Sequence, residues 1–358
     1  MIFKKLSRNT KPLCFLPDGR LVCYQYGRII ILGEEGIVLS KQLIFRSFLE
    51  CVASRFPLLS RLLRLGIREA IALNNDIIVL SKKNEIYEYD LKSHKCSCVL
   101  VLSERTRPLS FSIIQDVPGF SNGVVFGEYT VNREKKEISI YLRDNDGKWE
   151  KVYVFQAGII NHIHRIVCDK WRNCLWILTG DFGEASAIWK AKDNFRTVER
   201  VVGGLQDYRG CVAFPTKEGL LYATDTPLSD NYIYLLRDDN SVERVASLPG
   251  SCIYGCSWKK DYLFSTTVEG DGRTPGKLYK FWGFHRGAGI KDDNTHLYCG
   301  NLEHGFHEIY CEKKDGFSFL FQFAVLMFPS GHNPTETLYF QPMATVKNDL
   351  RLLACKQV

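Results

Sequence analysis

Ala70-Ile71-Ala72-Leu73, Asn74-Asn75-Asp76, Ile77-Ile78-Val79-Leu80, Lys82-Lys83-Asn84, Ile86-Tyr87-Glu88-Tyr89 and Cys98-Val99-Leu100-Val101-Leu102 follow one another along the chain. β-branched and aromatic residues fill the apolar runs, and Asn, Asp and Lys fill the first gaps. Four short strands joined by three turns make an antiparallel meander. Residues 163–168, 175–178, 187–190 and 198–202 repeat it, and residues 210–214, 220–223, 232–236 and 242–248 repeat it again. The period is roughly 40–50 residues, which in an all-β chain points to the blades of a β-propeller. Seven units begin near Leu13, Arg68, Ser110, His162, Tyr208, Cys252 and Phe319. The last unit is one strand short, and residues 2–6 or 13–16 are placed to complete it. The expectation is one all-β propeller domain over residues 1–358, with seven blades, or six if the first and last units combine.

One segment breaks the pattern. In residues 41–66, Leu43, Phe45, Phe48, Leu49, Val52, Phe56, Leu59, Leu62 and Leu63 recur at helical spacing. Pro57 divides them into two short helices. Lys41, Arg46, Arg55, Arg61, Arg64 and Arg68 here face one acid, Glu50. Such an insertion either packs its apolar stripe on the propeller rim or touches a membrane surface or a partner protein.

The composition is that of a globular protein, with 45% hydrophobic and 24% charged residues, which excludes disorder and collagen-like repeats. About half of the net charge of +7 lies between Lys41 and Arg68, and it does not mark a nucleic-acid channel. The thirteen cysteines include no CxxC pair, and no structural zinc set assembles from their spacing. Buried, reduced thiols behaving as small hydrophobes fit them better, and suit a reducing compartment. Lys4 and Lys5 are not followed by an apolar signal region, and the longest apolar run, residues 317–328, is too short to span a bilayer. A soluble, cytoplasmic protein is expected. No P-loop, Rossmann glycine fingerprint, nucleophile elbow or HExxH is present, and no cofactor is expected.

The central third carries the chemistry. Asp144, Gly147 and Trp149 approximate the Ser-x-Asp-x-Gly-x-Thr-Trp turn with one residue too many. Asp193 and Thr197 keep part of it, with Phe195 for Gly and Val198 for Trp. These hairpins resemble the Asp-boxes of sialidase-like (BNR-repeat) propellers, and residues 120–275 resemble bacterial glycosyl-hydrolase-like proteins of surface-polysaccharide loci. The resemblance implies a propeller and a carbohydrate ligand. It does not imply sialidase activity, because the three arginines, the Tyr–Glu pair and the Arg-Ile-Pro signature of true sialidases do not map onto this chain. Asp-boxes mark a fold.

Blade starts and second-strand ends share one end of a four-stranded meander. His162, His164, Arg165, Tyr208 and Arg209 stand at blade starts, and Glu128, Asp181, Asp225 and Glu269 at second-strand ends. Arg165 and Arg209, with His164, Asp225 and Glu269, are expected to hold an acidic sugar, since guanidinium grips carboxylate bidentately. Asp181 or Glu128 is expected to donate a proton to a leaving oxygen, and His162 or Tyr208 to act as base. Asp181 and Asp225 equally suit turns, capping backbone amides. His162-x-His164 places two imidazoles on one side of a strand, as a metal site or proton relay requires. Gln206, Glu128, His304 and His307 are the available further ligands, and an ordinary core histidine is the simpler alternative. Trp149, Trp171, Trp176 and Trp189 read as blade packing. The function expected is binding of, or action on, an acidic bacterial polysaccharide by hydrolysis or elimination. The alternative is a non-catalytic scaffold in a protein complex.

Overall fold

The computed structural model describes residues 1–33, 36–44, 48–271 and 285–356. Among these residues the strands form seven antiparallel sheets, six of them meanders in chain order and the seventh completed by the first strand of the chain. The fold is a seven-bladed β-propeller.

The chain divides into two compact units. One contains Met1–Ile67, Asp225–Asn231 and Ala246–Val358. Its blade 1 runs Lys11–Phe15, Leu21–Gln25, Arg28–Leu32 and Val38–Leu43. Blade 6 runs Cys252–Trp258, Asp261–Thr266, Asn294–Asn301 and Gly305–Lys313. Blade 7 runs Val325–Met327, Thr337–Met343 and Arg351–Lys356, and takes its fourth strand, Ile2–Arg8, from the other end of the chain. The strand that completes the last unit is therefore residues 2–8; residues 13–16 serve blade 1.

The second unit contains Arg68–Thr224 and Tyr232–Val245. Blade 2 is Glu69–Ala72, Ile77–Lys82, Glu85–Asp90 and Cys96–Val101. Blade 3 splits its first strand into Arg107–Pro108 and Ser112–Ile114, followed by Gly123–Tyr129, Ile138–Arg143 and Trp149–Phe155. Blade 4 is His162–Asp169, Cys174–Gly180, Ala187–Lys192 and Thr197–Gly203. The strands of blade 5 are Gly210–Pro215, Leu220–Thr224, Asn231–Leu236 and Val242–Leu248.

Second strands are buried on both faces, and so read as continuous apolar runs. In blade 4, Leu175 and Ile177 join the layer against blade 3, while Trp176 and Leu178 join the layer against blade 5. Cys14, Cys23, Cys174, Cys211, Cys252, Cys299 and Cys355 are buried free thiols, as expected of small core residues. Trp176 is fully buried, and Trp149 and Trp189 pack on Phe126 and Phe155. Trp171 departs from the packing expectation: it sits in a turn and is exposed.

The two Asp-box-like stretches are third-to-fourth-strand hairpins. Asp144 Oδ1 accepts the Lys148 N–H at 2.8 Å, with Gly147 at φ +91°. In the second hairpin Asp193, Asn194 and Phe195 all have positive φ. Phe195 replaces the expected glycine because its ring is buried edge-on against Phe120, 5.6 Å away.

The insertion is smaller than the sequence pattern suggests. Residues 41–43 belong to the outer strand of blade 1, and the helices are α1 (Phe48–Ala53) and α2 (Pro57–Leu63). Pro57 starts α2, where a missing N–H costs nothing. Phe45, Arg46 and the Phe48 side chain lie outside the described residues. The apolar stripe does not pack away: Leu49 is 80% and Phe56 60% exposed, and Leu59, Leu62 and Leu63 are also exposed. α2 is held instead by Arg61, buried between Asp315 and Asp349 with its Nε donating to the Phe321 carbonyl at 2.7 Å.

Candidate functional site

Strand alternation puts His162 and His164 on one side of the first strand of blade 4. Both are 3% exposed. His162 Nδ1 lies 2.9 Å from the Thr130 carbonyl, and His164 Nδ1 lies 3.0 Å from the Gly210 carbonyl. A carbonyl only accepts, so each Nδ1 carries a proton and each neutral ring keeps its lone pair on Nε2. The two Nε2 atoms are 3.0 Å apart.

Asp181 enters because His162 pairs with Gly180 across the sheet, leaving the next residue over the imidazoles. Its Oδ1 is 3.2 Å from His162 Nε2, 3.6 Å from His164 Nε2 and 3.2 Å from Arg209 Nη2. Gly180 is required here: a Cβ would stand 2.3 Å from His164 Cε1. The Asp181 carbonyl accepts the Gln206 side-chain amide at 2.9 Å, and the Asp181 N–H donates to Asn161 at 3.3 Å.

Burial raises the Asp181 carboxyl, but His162, His164 and Arg209 outweigh it and hold the group far below the usual carboxylate range. Burial lowers His162, with the neighbouring His164 adding to it and Asp181 opposing. The cluster thus favours an ionised Asp181, and burial works against a charge on His162. Asp181, expected as a proton donor, is held toward its ionised form, which accepts protons.

Aromatic rings frame the cluster. Tyr129 packs 4.3 Å from His162 and 6.2 Å from His164, with the Arg107 guanidinium 5.1 Å over its ring. Phe182, 52% exposed, lies under the Arg209 guanidinium at 5.1 Å. Tyr129, Arg107 and Phe182 were not singled out from sequence. A signal for Tyr129 was present: Gly127 shares its strand face, and a Cβ on Gly127 would stand 2.5 Å from Ile163. A glycine on that face marks close approach to blade 4.

The other expected residues divide. Glu128 points to the opposite strand face and is committed to blade 3, accepting the Ser139 N–H at 2.8 Å and the Tyr141 hydroxyl at 3.4 Å. It is a structural carboxylate and not a member of the cluster. Arg165 is half-buried one residue beyond the histidine pair, and the ion pair to Asp181 comes from Arg209. Tyr208 stands in the short turn Gln206–Tyr208 as a neighbour of Tyr222. Asp225 and Glu269 are buried in the first unit, where Glu269 accepts the Thr267 hydroxyl at 3.2 Å. His304 and His307 lie in the outer hairpin of blade 6. Gln206 is the remaining candidate of that set: its side-chain carbonyl oxygen is buried with no hydrogen-bond partner among the described residues.

A second histidine cluster, unmarked by any motif, lies in blade 6. His296 Nδ1 is 2.5 Å from Glu308, its Nε2 is 3.1 Å from Asp292, and Cys311 stands beside it.

No family model matches the chain, and no curated protein matches it. Solved structures do. An AfRom2 CNH domain is similar at 7% identity with a TM-score of 0.57, over 100% of this chain and 99% of that one. Oligogalacturonate lyase from Vibrio parahaemolyticus is similar at 11% identity with a TM-score of 0.56, over 98% and 93%. The β-propeller domain of Cps50 (Swd1) from Myceliophteria thermophila is similar at 10% identity with a TM-score of 0.57, over 100% and 99%. At these identities the likeness shows the fold.

Proposed function

We propose that the chain binds an acidic carbohydrate at the cluster of His162, His164, Asp181 and Arg209. One observation carries the reading: Arg209 pairs with Asp181 beside the exposed ring of Phe182, and Arg107 lies over Tyr129, the ring that packs on His162. Arg107 and Arg209 bring guanidinium groups to the edges of the cluster, and guanidinium offers a sugar carboxylate parallel N–H donors. An exposed aromatic face beside them suits the apolar face of a sugar ring. The similar Vibrio structure is named for oligogalacturonate, an acidic carbohydrate, which agrees with this ligand class.

Calorimetric titration with oligogalacturonate, against an uncharged oligosaccharide of equal length, tests the reading. Binding of the acidic chain alone is expected. Arg209→Ala should weaken it about 10- to 100-fold, as loss of hydrogen bonds to a charged group implies. Equal binding of both oligosaccharides, or of neither, overturns it. The same samples read catalysis: β-elimination removes the proton beside the uronate carboxylate, breaks the bond to the leaving oxygen and leaves an ultraviolet-absorbing double bond. Binding without that absorbance identifies a recognition module.

A further inference from the structure

The protons of the site are fully assigned by its geometry, and the assignment leaves a gap. Both Nδ1–H groups are spent on the Thr130 and Gly210 carbonyls. His162 Nε2, His164 Nε2 and Asp181 Oδ1 then converge as three lone pairs, at 3.0, 3.2 and 3.6 Å from one another. Arg209 reaches Asp181 Oδ1 from outside the trio, and among the described residues nothing donates between the three. One extra proton bridges a single pair of these atoms and leaves the third lone pair facing another. It also puts a charge on a deeply buried ring, which burial opposes.

We propose that a divalent first-row transition-metal ion binds between His162 Nε2, His164 Nε2 and Asp181 Oδ1, with the orphaned Gln206 carbonyl oxygen as fourth protein ligand. Metal–nitrogen bonds of about 2.1 Å at angles of about 90–110° place neighbouring donor atoms roughly 3.0–3.4 Å apart, close to the spacings here. Two imidazoles with one carboxylate and one amide oxygen suit zinc or manganese better than the oxygen-only preference of magnesium or calcium. The supports around the ligands have the form that metal sites use. Each ligating ring donates its other N–H to a fixed backbone carbonyl, and the Gln206 amide nitrogen is anchored on the Asp181 carbonyl. Asp181 is the ligand with access to solvent, 34% of its side chain being exposed, so an ion has a way in. The bound cation also adds positive charge where the acidic sugar is placed, so the inference deepens that reading; its test needs no sugar.

The experiment uses the untagged full chain, stripped with chelator and titrated with zinc chloride, with magnesium chloride as control. One zinc per chain at micromolar affinity or tighter is expected, and no comparable magnesium binding. Cobalt(II) should give a visible absorption band from its nitrogen and oxygen ligands. His162→Ala and Asp181→Asn should each weaken zinc binding at least tenfold, and Gln206→Ala should shift the cobalt band. His296→Ala, in the separate blade 6 cluster, should leave affinity and band unchanged. No saturable zinc binding by the wild type overturns the inference. So does zinc binding that survives His162→Ala, or that is lost in His296→Ala instead. Should His162→Ala not fold, as read by its melting curve, the wild-type cobalt spectrum and Gln206→Ala decide the question. Zinc binding without oligouronide binding rejects the carbohydrate reading alone. Oligouronide binding by a chain that takes no zinc rejects the cation alone.

Discussion

Asp169 is wholly buried at the end of the first strand of blade 4 and has four hydrogen bonds to satisfy it. Oδ1 accepts the N–H groups of Trp171 and Arg172 at 2.9 and 3.2 Å, and Oδ2 accepts from Trp176 Nε1 at 2.8 Å and Arg172 Nη1 at 3.1 Å. Arg172 in turn donates to the Thr216 carbonyl at 2.9 Å. Asp169→Ala leaves the Trp176 indole N–H unpaired and takes from Arg172 one of its two carboxylate partners, Asp238 being the other, and should cost about 3 kcal/mol. Trp176→Phe should cost less, and in a double-mutant cycle by urea denaturation the two losses should not add. Gly180→Ala should displace the His164 ring, with loss of ligand binding and a stability cost of about 1–3 kcal/mol; intact binding in a folded Gly180→Ala chain would refute the role given to that close approach. At this scale the sequence showed residue types and spacing: the His-x-His pair, and Asp181 and Arg209 at their strand ends. It did not show that Asp181 is held ionised, which follows from partners 17 to 28 positions away in the chain. The face of Glu128 was also hidden, since whether Glu128 or Tyr129 turns inward depends on register.

α2 illustrates how an element is held by one side chain. Arg61 pairs with Asp315 at 2.6 Å and Asp349 at 3.1 Å and donates to Phe321, while Gln322 donates back to the Arg61 carbonyl. Arg61→Ala leaves two carboxylates facing each other at a mostly buried site and should lower stability by about 3 kcal/mol. Leu59→Gln, on the exposed stripe, should change it by less than about 0.5 kcal/mol. Comparing the two variants in urea would show that the charge and not the stripe anchors the helix. The same cluster has a pH signature. Burial raises the Asp315 carboxyl, but Lys314 and Arg61 outweigh it and leave it below its ordinary value. A carboxyl whose folded pKa lies below its unfolded one stabilises the fold above about pH 4. That contribution is lost as pH falls through the folded value. The urea midpoint of the wild type should therefore fall more steeply below about pH 4 than that of Asp315→Asn. The helical period of this segment was legible; its anchoring was not, because Asp315 and Asp349 lie more than 250 positions beyond Arg61.

For the whole molecule, the strand Ile2–Arg8 supplies the outer edge of blade 7. Ile2 pairs with Lys356 and Lys4 with Ala354, and Phe3 packs edge-on against Tyr310 and Phe340 at 5.0 and 5.7 Å. Removing residues 1–8 bares the edge of Arg351–Lys356, an invitation to intermolecular pairing. The shortened chain should melt several degrees lower and scatter light increasingly with concentration, whereas Phe3→Ala should lower stability by about 2 kcal/mol without aggregation.

The amino-acid order by itself pointed to the repeated meanders, seven in preference to six, their approximate starting points, the need for a borrowed strand and the helical break near Pro57. All of these rest on local signals: alternation, β-branched runs and turn residues act over a few positions, and their period survives without partners. Only the tertiary structure decided which strand was borrowed, which face of Gly123–Tyr129 meets the histidines, and that Arg61 is buried while Leu49 and Phe56 are not. It also decided the site's chemistry. Protons on His162 and His164 are set by the carbonyls of Thr130 and Gly210, and the charge of Asp181 by the Arg209 guanidinium beside it. Those contacts join strands far apart in the chain, where distance and burial, and no local pattern, determine what a side chain can do.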